Sequence, residues 1–162
     1  MFFSRAIALT FAAFNVYILS HNVFQPDQEY TLIILKPDAL ELQVESSIYS
    51  KLEQEAGVSI DREVRFERAP DEKLSAHYEG HIGKSFFVGL IDYMISGPII
   101  VSVWVGPIGS IKRVRDVIGS TDPKAALPGT VRALYGTSVQ RNVIHGSDSA
   151  ESASREIGVW FR

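Results

Sequence analysis

Apolar residues along this chain fall into a few sharply bounded runs, and their spacing predicts most of its elements. Thr31 to Leu35 reads as a strand, stopped where Lys36-Pro37-Asp38 interrupts it. Glu45 to Ala56 has helical spacing, with Gly57 placed to cap its C-terminus. Val58 to Glu67 alternates as a strand does, Pro70-Asp71 opens a short helix to Tyr78, and Phe87 to Ile95 gives another helix. Gly97-Pro98 introduces Ile99 to Val105, a strongly apolar central strand, and Ile108 to Ile118 is helical. Gly119 to Thr137 has no periodicity and reads as a long ordered loop, which in a compact domain is often functional. Val143-Ile144 ends a last strand. Asp148 with Glu151 three residues on reads as a capping box that starts a final helix through Ile157. The order is β-α-β, helices, β-α, loop, β-α. It predicts an α+β, ferredoxin-like split βαβ sandwich: a four-stranded antiparallel sheet with helices on its faces.

The N-terminus does not fit that pattern. After Arg5, Ala6 to Leu19 is apolar apart from Thr10 and Asn15, and no acidic residue appears before Asp27. As a helix this run spans about 21 Å, short of the roughly 30 Å of a bilayer core. It suits a signal peptide, a membrane anchor, a transit segment or an extension packed on an oligomer, and Ile18-Leu19-Ser20 is a poor cleavage site. Pro26-Asp27-Gln28-Glu29 reads as a linker. The expected organisation is a hydrophobic extension and linker over 1–28 and one domain over 29–162.

Composition narrows the function classes. A net charge of −3 argues against a broad nucleic-acid surface, although it leaves room for one basic pocket. Without cysteine there is no thiolate chemistry and no Cys-based zinc site. Of the four histidines, only His77 and His81 have metal-like spacing, and a helix end near Tyr78 accounts for them more simply.

The candidate chemistry gathers around His145, at a strand exit just before Gly146-Ser147 and a helix start. An imidazole there is held rigidly beside backbone N–H groups that favour anions. Glu156, two turns into the last helix, could reach back to one ring nitrogen and leave the other as nucleophile. Lys36 at a strand exit, Arg115 on a helix and Arg132 after Pro128-Gly129-Thr130 are candidate phosphate cations. Lys36 and Arg115 also read simply as solvated side chains, and spacing does not show that the three converge. There is no G-x-S-x-G elbow, P-loop or G-x-G-x-x-G, so hydrolase and Rossmann readings lose their support.

Read in order, Lys36-Pro37-Asp38, His77-Tyr78, Phe86-Phe87, Ser96-Gly97-Pro98, Thr121-Asp122-Pro123, Pro128-Gly129-Thr130-Val131-Arg132, Asn142-Val143-Ile144-His145-Gly146-Ser147-Asp148-Ser149 and Glu156-Ile157 make the chain resemble nucleoside diphosphate kinases from Tyr30 to Phe161. The resemblance implies a ping-pong exchange in which His145 takes a γ-phosphoryl group from a nucleoside triphosphate such as ATP and passes it to another diphosphate. Carried over residue by residue, Lys36, Arg115, Thr121 and Arg132 bind phosphates. Tyr78 lies near the reacting group, and Asn142 with Lys36 holds the sugar. Phe86 and Val139 sandwich the base, Glu156 orients His145, and Ser147 supports both. Mg2+ bridges the phosphates, with no direct protein ligand and Asp148 at most in its outer shell. A homo-oligomer, tetramer or hexamer, is also implied, and membrane association is left to the N-terminal segment. The chain departs from the family at Ala39, across Glu41 to Glu45, at Asp122 and at Ala133-Leu134-Tyr135. None of these is a residue assigned to chemistry. A nucleotide-binding member with little turnover that acts as a scaffold, and a purely structural oligomerisation domain, are the rival readings.

Overall fold

The computed structural model describes residues 27–162; the apolar run expected to be a signal, anchor or transit segment lies outside them. Four strands, β1 (Gln28–Leu35), β2 (Ser59–Phe66), β3 (Ile99–Pro107) and β4 (Ile144–Gly146), form one sheet in the order β2-β3-β1-β4. Every neighbouring pair is antiparallel. Consecutive strands β1 and β2 are separated by β3, and β3 and β4 by β1, so both connections cross over the sheet through helices. This is the split βαβ, ferredoxin-like α+β arrangement expected from the element order.

Both central strands are apolar on both faces. On β1, Ile33 and Leu35 join Trp104, Ile48, Leu52 and Val114 in one core cluster, while Leu32 and Ile34 join Leu74, Met94, Val101 and Trp160 in the other. Strand side chains alternate between faces, so a strand covered by helices on both sides must be apolar at every position. That explains the unbroken run from Leu32 to Leu35. Full burial of each such side chain contributes roughly 1.5–3 kcal/mol. One face is covered by α2 (Glu45–Lys51), α5 (Ser110–Ile118) and α6 (Val131–Tyr135), the other by α3 (Asp71–His77), α4 (Phe87–Met94) and α7 (Ala150–Phe161); α1 (Pro37–Glu41) follows β1 directly. Among the described residues no helix is long and apolar enough to cross a membrane.

Several boundaries differ from the sequence pattern. Gln28 and Glu29, expected in a linker, extend β1 by pairing with Pro107 and Gly106, where polar side chains suit an exposed ladder end. The helix from Glu45 ends in a π turn over Leu52–Ala56, and Gly57 then takes a left-handed conformation (φ 66°). The stretch from Gly119 to Thr137 is not loop throughout: it holds a 3-10 turn at Pro123–Ala125 and α6, both too short to display a period. Asp122, standing where the family has asparagine, caps that turn by accepting from the Lys124 amide at 3.0 Å. The final helix is capped by Ser149 rather than Asp148. Ser149 is extended and its Oγ accepts from the Ser152 amide at 3.1 Å. Asp148 accepts instead from the Ser149 hydroxyl at 3.2 Å, which leaves it one position outside the helix.

Candidate active site

Backbone constraints put His145 where it is. Gly146 follows it on β4, and a Cβ there would stand 2.6 Å from Ile118 Cδ1 and 3.2 Å from Ile33 Cδ1, so a larger residue would have to displace these two core methyls. Gly119, at the end of α5, has φ 88°, and a Cβ would fall 2.5 Å from Thr130 Oγ1. Two residues before His145, Val143 adopts φ 62°. A β-branched residue in the left-handed region costs of order 1–3 kcal/mol and persists only where its surroundings over-determine it. The restraints are visible. Val143 N–H donates to Asp38 Oδ2 at 3.1 Å, and Lys36 N–H donates to the Val143 carbonyl at 2.9 Å. Asp38 is buried and its other oxygen accepts from the Tyr93 hydroxyl. Asp38 therefore ties the start of α1 and α4 to the strained turn.

That turn brings Asn142 beneath Lys36. Asn142 is buried, its Oδ1 accepts from Lys36 Nζ at 2.7 Å, and its amide donates to the Thr121 and Val139 carbonyls at 3.0 and 2.9 Å. One side chain thus joins the β1 exit, the loop after α5 and the approach to β4. Burial lowers the Lys36 ammonium to about 8, helped by the charge of Arg132 and opposed by Asp38.

His145 Nε2 lies 3.0 Å from Glu156 Oε2. The same carboxylate oxygen accepts from Ser147 Oγ at 2.7 Å, and Ser147 Oγ accepts in turn from the Leu32 amide at 3.1 Å. Glu156 and Ser147 are both buried. A carboxylate only accepts, so the contact assigns the proton to Nε2 and leaves the lone pair on Nδ1. The arrangement matches the orientation expected from the spacing of Glu156.

A cavity of about 530 Å³ opens over this histidine. Lys36, Tyr78, Arg115, Arg132, Asn142 and His145 line its inner part, and Phe86, Thr121, Val139 and Asp148 also face it. The structure therefore brings every candidate residue to one place; Ser147 alone stands behind the wall, holding Glu156. Arg132 is buried and donates from Nη1 to the Gly119 carbonyl at 2.9 Å and from Nη2 to the Ile144 carbonyl at 2.8 Å. Burial, followed by the nearby Arg115 charge, brings its guanidinium down to about 10. Arg115, which the sequence pattern also allows as a solvated side chain, donates from Nη1 to the Gly146 carbonyl at 3.2 Å. Tyr78 is 8 % exposed and its hydroxyl has no protein partner among the described residues. Burial raises that hydroxyl above its ordinary value, so it stays protonated and available as a donor. The outer end is apolar: Phe86 is 52 % and Val139 56 % exposed. Asp148, at the rim, is held below the usual carboxylate range chiefly by hydrogen bonding from Ser152.

Sequence reading missed one contributor. His77 and His81 do not share a helix face, because α3 ends at His77 and Tyr78 leaves helical geometry (φ −97°, ψ 21°). His77 turns inward, with its ring 4.6 Å edge-on to His145 and 4.5 Å from Tyr78, while His81 lines the cavity and stands 5.4 Å from Phe86. Burial pushes His77 well below its ordinary value, with the neighbouring His145 next in effect. The only signal in the sequence was its place beside Tyr78.

A ferredoxin-like sheet with an oriented histidine beneath three cations and an aromatic rim defines a domain suited to nucleotide phosphate chemistry. Comparison with known proteins gives the family. The family model described as nucleoside diphosphate kinase matches residues 29–162. The nucleoside diphosphate kinase of Saccharomyces cerevisiae is 39% identical over 134 residues, covering 83% of this chain and 86% of that protein. The one from Chloroflexus aggregans is 41% identical over 139 residues, covering 83% and 87%. Among solved structures, the Aquifex aeolicus nucleoside diphosphate kinase superposes with a TM-score of 0.78 at 40% identity, covering 83% of this chain and 96% of that one. This chain belongs to the nucleoside diphosphate kinase family.

Proposed function

We propose that the protein is a nucleoside diphosphate kinase working through a phosphohistidine at His145. The observation that carries this reading is the polarity of the His145 ring: Nε2 is held by Glu156 at 3.0 Å, which leaves Nδ1 as the nucleophile. Nδ1 attacks the γ-phosphorus of a bound nucleoside triphosphate, the bond to the β,γ-bridging oxygen breaks, and a nucleoside diphosphate leaves. The ring becomes cationic, and its remaining N–H faces the Glu156 carboxylate, which stabilises that charge. A second diphosphate then attacks the phosphohistidine through a terminal β-oxygen and restores Nδ1. Phosphoryl transfer of this kind depends mainly on position and charge. Lys36, Arg115 and Arg132 supply the charge, with the Tyr78 hydroxyl, Thr121 and the Asn142–Lys36 pair placed for polar contacts to phosphate and sugar.

Phe86 and Val139 form the base site. Stacking between an aromatic face and an aliphatic side chain does not read base edges, so the exchange accepts any base. Asp148 is the one carboxylate at the cavity mouth, whereas Mg2+ seeks several oxygens in octahedral geometry. The residues fit a Mg2+ ion that would arrive on the phosphates and neutralise their charge, with Asp148 at most an outer-shell partner. We also read the residues that precede β1 as an appendage to the catalytic domain, and the protein as a homo-oligomer, tetramer or hexamer, whose size sedimentation equilibrium decides.

Incubation with γ-labelled ATP tests the central reading. Acid-labile label on the wild type and none on His145→Ala supports it. Nucleotide bound without any phosphoenzyme gives the scaffold reading instead, and no binding at all leaves an oligomerisation module.

A further inference from the structure

His77, His145 and Glu156 each bring one ligand-type atom within 4.8 Å of the other two. Two imidazoles and a carboxylate are a donor set that suits Zn2+, with a fourth position left open. His77 is 4 % exposed and its ring stands edge-on to His145, with centroids 4.6 Å apart. By composition and proximity these three residues are a candidate donor set for a metal ion. It also lies at the floor of a cavity that a nucleotide and its divalent ion would enter.

One contact opposes it. Trp160 Nε1–H donates to His77 Nδ1 at 3.3 Å. An indole N–H has no acceptor capacity, so this bond places the His77 lone pair on Nδ1, against the tryptophan, and the proton on Nε2. A metal-bound imidazole keeps its proton on the other nitrogen and donates it to a carbonyl or carboxylate. Trp160 presents a donor where that acceptor would be needed. His77 therefore cannot keep this bond and also ligate a metal, whichever nitrogen faces His145. Two ligands remain, and both are engaged: His145 donates to Glu156, whose carboxylate also accepts from Ser147 at 2.7 Å and faces Arg155 at 3.6 Å.

We propose that His77, His145 and Glu156 form a latent Zn2+ site that Trp160 keeps closed by occupying the Nδ1 lone pair of His77. An occupied site would take both the nucleophilic ring and the carboxylate that orients it. Mg2+ is no competitor there, because it prefers oxygen ligands. The consequence for catalysis rests on the phosphohistidine reading above; the metal binding itself does not.

Trp160→Phe keeps an aromatic ring in the core and removes the donor. Titration calorimetry with ZnCl2, without nucleotide, is expected to show the variant binding Zn2+ at least about tenfold more tightly than the wild type. Adding His77→Phe abolishes the gain. Equal Zn2+ affinity in wild type and Trp160→Phe, tight or weak, overturns the proposal. The unaltered protein gives a second reading that does not depend on the variant's folding. Histidine 15N NMR is expected to show His77 with Nδ1 unprotonated and Nε2 protonated, and no shift at stoichiometric Zn2+. The opposite tautomer, or movement of the His77 and His145 signals together on adding Zn2+, overturns it. Calorimetry and NMR read the metal without turnover, so failure of the kinase reading is seen separately.

Discussion

His145 and Glu156 are joined at 3.0 Å across the gap between a three-residue strand and the second turn of the last helix, with Ser147 fixing the carboxylate at 2.7 Å. The carboxylate sets the ring's tautomer and meets its developing charge. Glu156→Gln keeps the shape and loses the charge, while Glu156→Ala loses both. The rate of phosphoenzyme formation, followed by quenched flow with labelled ATP, is expected to fall about 10²-fold in the alanine variant and less in the glutamine variant. Equal losses in the two would mean that charge, not orientation, is the whole contribution.

Lys36 gives the clearest pH dependence. Its ammonium titrates at about 8 in the folded protein against 10.5 in the unfolded chain. Below pH 8 both states are protonated and the folded state bears the full cost of the buried charge. Between pH 8 and 10.5 the unfolded state binds more protons, so this group's contribution to stability rises with pH, by about 3 kcal/mol in total. Nucleotide binding runs the other way, because polyphosphate needs the charged form. Affinity is expected to fall as pH rises above 8, and binding at pH 8.5 to take up a proton. Calorimetry in two buffers of different ionisation enthalpy measures that uptake, and Lys36→Gln should abolish it.

Asp38 stabilises the strained turn at Val143 through the 3.1 Å bond to its amide. Asp38→Ala leaves that buried amide and the Tyr93 hydroxyl without their acceptor. The expected loss is about 2–6 kcal/mol of unfolding free energy, from two orphaned groups at roughly 1–3 kcal/mol each. Since the same turn carries Asn142 toward Lys36, nucleotide affinity should fall as well. Urea unfolding and a binding titration measure the two effects separately.

The parts of this molecule that were legible in its sequence are those governed by local rules. The unbroken apolar runs of β1 and β3 record burial on both faces, Gly57 records the end of one helix, and the Glu156 spacing records how a short strand runs directly into the next helix. The Ser149 cap was misread by one residue because Asp148 and Ser149 are both good caps, and only the turn decides which one faces the helix. The short α1 and α6 carry too few residues to show a period. His77 was obscure for a different reason. Its partners Trp160 and His145 come from chain segments 83 and about 70 residues away, and no local pattern encodes contacts that only the closed sheet creates.

Phe86 lies half exposed at the cavity, with the His81 ring edge-on at 5.4 Å and the Lys84 ammonium 5.8 Å from its centroid. Free of ligand, that exposure brings little stability, so Phe86→Ala should leave thermal unfolding nearly unchanged. In the proposed binding mode the ring covers one face of the base, and base–aromatic stacking is worth about 1–3 kcal/mol. The KM for diphosphate acceptors is therefore expected to rise by about tenfold or more, with kcat less affected because the base lies far from the transferred group. The increase should be larger for purines than for pyrimidines, since the wider ring loses more overlap. A rise confined to one base would show that the site reads base edges through another side chain, and His81, 5.4 Å from Phe86, is the residue that could do so.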